Sequence, residues 1–135
     1  IVAAVHAGWR GTVNRILAKT LHRMQSTYGT RGTDVIACIG PGISLDSFEV
    51  GDEVYEAFRT ENFPMEYISV WKPETHKYHI DLWAANRLQL SDFGVPPRQI
   101  ENAGICTYEQ HEDFFSARRL GIKSGRVLSG IMINQ

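Results

Sequence analysis

The sequence is poor in cysteine: among 135 residues there are two, Cys38 and Cys106, and they form no CxxC pair. Two thiols cannot staple a disulfide scaffold, so the chain reads as belonging to a reducing, cytoplasmic compartment. Long hydrophobic runs are missing as well. No apolar stretch approaches the roughly 20 residues that span a bilayer, so no segment reads as a transmembrane helix. Charge of one sign is not in excess, since 14 Lys and Arg stand against 15 Asp and Glu, for a net charge of −1. That balance removes the electrostatic basis for a non-specific nucleic-acid or membrane-surface binder. Internal repeats, low-complexity tracts and interdomain linkers are also lacking. The opening IVAAV has neither the length nor the basic n-region of a signal peptide, and the chain reads as cut from a longer one. What is present is an ordinary globular composition, 43% hydrophobic and 21% charged, at a length that fits one domain or part of one.

The pattern alternates strands and helices. Ile1–Val5 is a continuous apolar run that suggests a strand buried on both faces. The apolar stripe Val13, Ile16, Leu17, Leu21 and Met24 predicts a helix from Thr12, as N-cap, to about Gln25. Residues 34–39 (DVIACI) suggest a second buried strand, followed by the break Gly40-Pro41-Gly42 and a tight turn at Ser44–Ser47. Val50, Val54, Tyr55 and Phe58 suggest a short amphipathic helix. Short strands are expected at Tyr67–Trp71 and Tyr78–Ile80, around a Pro73-Glu74-Thr75 turn. Asp81 is a good N-cap for a helix running to about Phe93, where Gly94 and Pro96-Pro97 end it. Ile100–Cys106 suggests a strand, Glu109–Phe115 a short helix or turn, and Arg118–Arg126 a basic, glycine-containing loop. Val127–Ile133 suggests a closing strand. Too few helices are present for a regular doubly wound sheet, and the fold class is α/β or α+β with a mixed sheet.

The segment His6-Ala7-Gly8-Trp9-Arg10-Gly11 joins a buried strand to a helix start, where open α/β sheets place ligands. His6 offers a metal ligand or proton carrier, and its small neighbours let a substrate approach. Arg10 carries a fork of donors suited to phosphate or carboxylate, and the helix N-terminus adds partial positive charge. A turn whose His caps a carbonyl and whose Trp plugs the core fits the same residues. Gly40-Pro41-Gly42 lacks the spacing of a phosphate-binding loop and reads as a plain turn. His76 and His79 point to opposite faces of an extended segment, which favours solvent exposure over metal binding. His111 among Glu109, Glu112 and Asp113 reads as a surface cluster. Cys38 and Cys106 read as buried, inert thiols, because a reactive Cys needs an electropositive, accessible setting. Phe114-Phe115-Ser116-Ala117-Arg118-Arg119 could stack a base and hold an anion, although from the residues alone a core plug beside a solvated basic loop is the favoured reading.

Taken together, HAGWRGT, IGPGI followed by FEVG, HKYHIDLWAANRLQL, and CTYEQHEDFFSARR with a later Gly-Arg resemble the YfiH/laccase-domain family. Its members were first described as multicopper polyphenol oxidases and are now regarded as purine nucleoside phosphorylases. The resemblance implies mixed β-sheets flanked by helices, a layered α/β/β/α arrangement related to bacterial cysteine-hydrolase-like domains. It implies one domain over residues 1–135, the C-terminal portion of a protein about twice as long. The implied activity is phosphorolysis of purine nucleosides, with adenosine deamination and methylthioadenosine cleavage, on small-molecule substrates including phosphate. The implied cofactor is zinc, or copper in the oxidase description, held by two His and one Cys. His6 inherits one ligand position, Arg10 a phosphate or substrate contact, and Ser116 and Arg118 positions in the substrate pocket. The other two ligands lie before HAGWRG in family members, and neither Cys38 nor Cys106 matches the family's ligand Cys. The resemblance therefore implies an incomplete metal site in this chain. A copper-dependent phenol oxidase and a non-catalytic purine-binding domain are the alternative functions.

Overall fold

A computed structural model describes residues 1–134. Helix α1 (Trp9–Val13) and helix α2 (Ile16–Tyr28) stand where the sequence pattern suggested one continuous helix. Arg15 is the reason: it takes a left-handed conformation, φ 56, so the chain turns sharply between the two. Thr12 is consequently not an N-cap. It lies inside α1, fully buried, and its hydroxyl donates to the Ala7 carbonyl at 3.0 Å. Gly29, φ 70, ends α2 in the left-handed conformation that glycine adopts without strain.

Two small sheets follow. Strand β1 (Ala37–Ile39) pairs in parallel with β5 (Ile100–Asn102), with Ala37 opposite Ile100 and Ile39 opposite Asn102. An isolated parallel bridge between Gly42 and Cys106 lies beyond that pairing. Strand β2 (Glu49–Val50) pairs with β4 (Lys77–Ile80), which also pairs with β3 (Ser69–Lys72), all antiparallel and in the order β2-β4-β3. Helices α3 (Asp52–Thr60) and α4 (Met65–Ile68) lie between β2 and β3 in the chain. Helicity over Met65–Ile68 delays β3, so the expected strand at Tyr67 begins at Ser69 instead.

Helix α5 (Leu82–Asp92) joins the two halves. Asp81 caps it as expected, accepting from the Ala84 N–H at 2.9 Å, and Gly94 follows its end at φ 93. Leu82 and Ala85 enter the larger core around Phe58, Ile68 and Ile80, all three fully buried, whereas Leu90 meets Leu21, Val95 and Ile100 in a second cluster. Backbones approach closely near α5's end: a Cβ on Gly32 would lie 2.3 Å from the Gly94 carbonyl carbon. The last helix is α6 (Ala117–Leu120), one turn capped by Ser116. It replaces the start of the expected Arg118–Arg126 loop.

Two expected strands do not form among the described residues. Ile1–Val5 and Val127–Ile133 have no strand pairing, and Ile1, Val2, Leu128 and Ile131 are exposed. Their apolar side chains find no sheet partner among the described residues, so periodicity alone does not make a strand. The architecture is mixed α/β, with a parallel and an antiparallel sheet together with helices. No helix among the described residues is long and apolar enough to cross a membrane.

Candidate functional site

The His6–Thr12 turn is shaped by its glycines. Gly8, in extended conformation at φ −64 and ψ 173, caps α1 through its backbone, since the Thr12 N–H donates to the Gly8 carbonyl at 2.8 Å. A Cβ on Gly8 would lie 3.3 Å from His6 Nε2, so the absence of a side chain leaves room for the ring. Gly11 makes the same allowance for the His6 carbonyl, 3.3 Å from where its Cβ would stand. His6 itself is exposed, and its ring takes no hydrogen bond among the described residues. Arg10 is exposed too, with its guanidinium carbon 4.4 Å from the Trp9 ring centroid, while Trp9 packs on the larger core. The turn thus presents an imidazole and a guanidinium fork outward from a buried base. With only five residues, α1 adds little dipole to that positive charge.

The expected pocket residues of the FFSARR segment fall elsewhere. Arg118 lines an open cleft of about 290 Å³ with Asp46, Ser47, Glu49, His79 and Tyr108. Its guanidinium donates to the Glu49 carbonyl at 2.7 Å and lies 5.2 Å from the Phe48 ring centroid. Ser116 is buried, and its Oγ accepts from the Arg119 N–H as the helix cap. Neither His6 nor Arg10 lines this cleft. The sequence pattern therefore defines two places, not one.

His79 departs from its expected exposure. It is buried, with Nδ1–H donating to the Leu45 carbonyl at 2.9 Å and Nε2 lying 3.8 Å from a Glu49 oxygen. His79 lies on the middle strand, opposite Glu49 of β2 and Val70 of β3, with its ring against Leu45, whereas His76 sits exposed in the turn at φ 52. The Glu49 carboxyl titrates below its ordinary value, held down by a hydrogen bond from Thr75 and then by Lys77.

The two thiols also part company. Cys38 is exposed, contrary to the expectation of a buried thiol, because short strand β1 turns that side chain outward. Cys106 is buried among polar groups: the Ser44 hydroxyl donates to its sulfur at 3.1 Å, and Ser47 stands 3.5 Å away. Burial pushes the Cys106 thiol up, but hydrogen bonds from Ser44, then Ser47 and the Glu109 backbone, outweigh it and set the thiol below its ordinary value. Sequence reasoning missed this cluster, since Ser44 and Cys106 are brought together by the Gly42–Cys106 bridge. His111 is half-buried and joins no ligand cluster. Among the described residues no three His, Cys, Asp or Glu side chains converge as a metal cage.

Similarity to known proteins is extensive. A family model described as multi-copper polyphenol oxidoreductase laccase matches residues 1–134. A purine nucleoside phosphorylase of Bacteroides thetaiotaomicron is 65% identical over 134 residues, covering 99% of this chain and 50% of the relative. Adenosine deaminase RL5, from an unknown prokaryotic organism, is 50% identical over 131 residues, covering 97% of this chain and 50% of its own length. The crystal structure of YlmD from Geobacillus stearothermophilus superposes with a TM-score of 0.75 at 34% identity, covering 85% of this chain and 43% of that one. The chain spans about half the length of the relatives it matches.

Proposed function

Because this chain belongs to the multi-copper polyphenol oxidoreductase laccase family, the YfiH family of its sequence motifs, we propose that it forms the C-terminal part of a purine nucleoside phosphorylase. The observation that carries this reading is the 65% identity, over 99% of the chain, to a relative named for that activity. In phosphorolysis a phosphate oxygen forms a bond to C1′ of the ribose as the C1′–N bond to the base breaks. The electron pair of that bond leaves with the base, which takes up a proton, and ribose 1-phosphate remains.

Arg10 is assigned to the phosphate, because a guanidinium fork matches a phosphate edge with two parallel hydrogen bonds. Its exposure leaves the fork free to do so, and the Trp9 ring beneath limits its directions. His6 stands four residues earlier at the same turn and faces outward. Zinc is the implied cofactor, and a zinc with an open position takes three protein ligands. Of the three ligands that the resemblance implies, His6 matches one, and among the described residues no three His, Cys, Asp or Glu side chains converge, so this chain by itself does not fit the metal. Arg118 and Ser116 remain assigned to substrate through the cleft beside Tyr108, with Ser116 acting through the α6 cap.

Adenosine deamination is the second activity proposed, supported by the 50%-identical relative named as an adenosine deaminase. Methylthioadenosine cleavage is included on chemical grounds, as the same C1′ displacement on a related nucleoside. Two free thiols accord with a cytoplasmic setting. The test is to incubate the full-length protein with inosine, with and without phosphate, and to measure ribose 1-phosphate and free base. Formation of both only with phosphate is the expected result. Phenol oxidation by the copper-loaded protein without phosphorolysis would favour the oxidase reading, and tight purine binding without turnover a binding domain.

A further inference from the structure

The His6–Arg10 turn carries its chemistry on two exposed side chains, yet the helix behind it has five residues and cannot hold itself. What holds it comes from the other side of the core. Asn86 and Gln89 lie three residues apart on α5, hence on one face, and both are buried, Gln89 almost completely. Asn86 Nδ2 donates to Thr12 Oγ1 at 3.0 Å and to the Leu82 carbonyl at 2.8 Å. The Thr12 hydroxyl passes its own proton to the Ala7 carbonyl at 3.0 Å, one residue from His6. Gln89 Nε2 donates to the Thr12 carbonyl at 3.2 Å, while its Oε1 accepts from the Ala18 N–H at 3.1 Å. One amide therefore ties the end of α1 to the beginning of α2 across the left-handed Arg15, and the other reaches the turn itself.

We propose that Asn86, Gln89 and Thr12 are positioning residues that set the orientation of His6 and Arg10 for the reaction. The proposal rests on the functional reading above. Stability alone is a poor explanation for the arrangement. Asn86 Oδ1 is buried without a partner among the described residues, a cost that an apolar side chain at this position would not carry. A polar group kept under such a cost is suited to fixing geometry. The network is also selective: apart from the Asn86 bond to Leu82 within α5, its bonds go to Ala7, Thr12 and Ala18, and none reaches the cleft around Arg118.

The experiment uses the full-length protein with Thr12→Val, Gln89→Met and the conservative Thr12→Ser. Thr12→Val keeps shape but removes the hydroxyl, and Thr12→Ser restores it. Inosine phosphorolysis is followed against phosphate concentration, alongside amide hydrogen exchange of residues 7–11 and the imidazole resonances of His6. Thr12→Val and Gln89→Met should raise KM for phosphate at least about fivefold and speed exchange in the turn about tenfold or more, since each removes two hydrogen bonds of the network. Exchange in β3 and β4 should be unchanged, and Thr12→Ser should restore both quantities. A variant that loses kcat at constant KM with an unaltered turn has merely lost folded protein, which overturns the proposal. A loosened turn with unchanged kinetics overturns it too. If the parent does not cleave inosine, the functional reading fails, and turn exchange alone decides: unaltered exchange and His6 resonances in both variants refute the positioning. Should Thr12→Val not fold, Gln89→Met decides by the same readouts.

Discussion

The two segments that the sequence singles out, His6–Thr12 and Phe114–Arg119, are attached to the molecule in opposite ways. The first is bonded from behind by buried amides of α5, so that its exposed residues stand on a satisfied interior. The second is fastened by its own exposed arginines, Arg118 to the Glu49 carbonyl and Arg119 to the Tyr108 carbonyl. One is built into the core, and the other is clipped onto it. A site whose chemistry needs fixed geometry belongs on the former kind of support, because buried bonds are lost to water only when the structure opens, whereas exposed ones compete with water continuously.

Trp9 of the first segment packs on the core that holds Phe58 and Phe48, and Arg118 of the second lies over the Phe48 ring, which gives the most severe way to abolish the contrast. Phe58→Ala should cost about 3–5 kcal/mol in urea unfolding, because a fully buried ring leaves a cavity that its neighbours fill only partly. Both segments should then lose protection together. A loss below about 1 kcal/mol would mean that the core around Phe58 is looser than its burial indicates.

The arginines sharpen the comparison. Arg10→Ala in the full-length protein should raise KM for phosphate on the order of tenfold or more, with deamination less affected, since phosphate reacts only in phosphorolysis. Arg118→Ala should change phosphate dependence less and should instead speed proteolytic cleavage between residues 114 and 124, by at most about tenfold for the loss of one hydrogen bond. An exchange of these two outcomes would transfer the anion site to the cleft beside Tyr108.

The smallest effect concerns acid. Glu49 has a folded-state value below the 4.5 of an unperturbed carboxyl, so its ionised form favours the folded state. That contribution is present above 4.5 and is lost as pH falls through the lower, folded value. Glu49→Gln should therefore flatten the acid limb of the stability profile below pH 4.5, as followed by thermal melting. An acid limb of unchanged slope would show that the Thr75 and Lys77 contacts are not maintained in solution.

Much of this organisation was legible in the sequence where local chemistry decides it. Asp81 and Gly94 delimit α5 as their side-chain and backbone preferences require, and the glycines around His6 announced a sharp turn. The break at Arg15 was not legible, because arginine has no preference for a left-handed conformation and tertiary bonds from Gln89 impose it. Asn86 and Gln89 were hidden for a related reason. Polar residues on a helix read as solvent-facing until their partners, more than 70 residues away, are known. The terminal runs Ile1–Val5 and Val127–Ile133 show the converse, since apolar patterning without a pairing partner leaves no strand.

The most direct test of the role proposed for this core-anchored, outward-facing turn is His6→Ala in the full-length protein, with metal-free forms compared for stability and loaded forms for activity. Phosphorolysis and deamination should fall on the order of a hundredfold or more, since even residues that merely support a metal ligand contribute 10–100-fold. The metal-free proteins should melt within a few degrees of each other, because an exposed side chain contributes about 1 kcal/mol or less to folding. A variant that retains both activities but unfolds readily would make His6 a structural cap and would contradict the account.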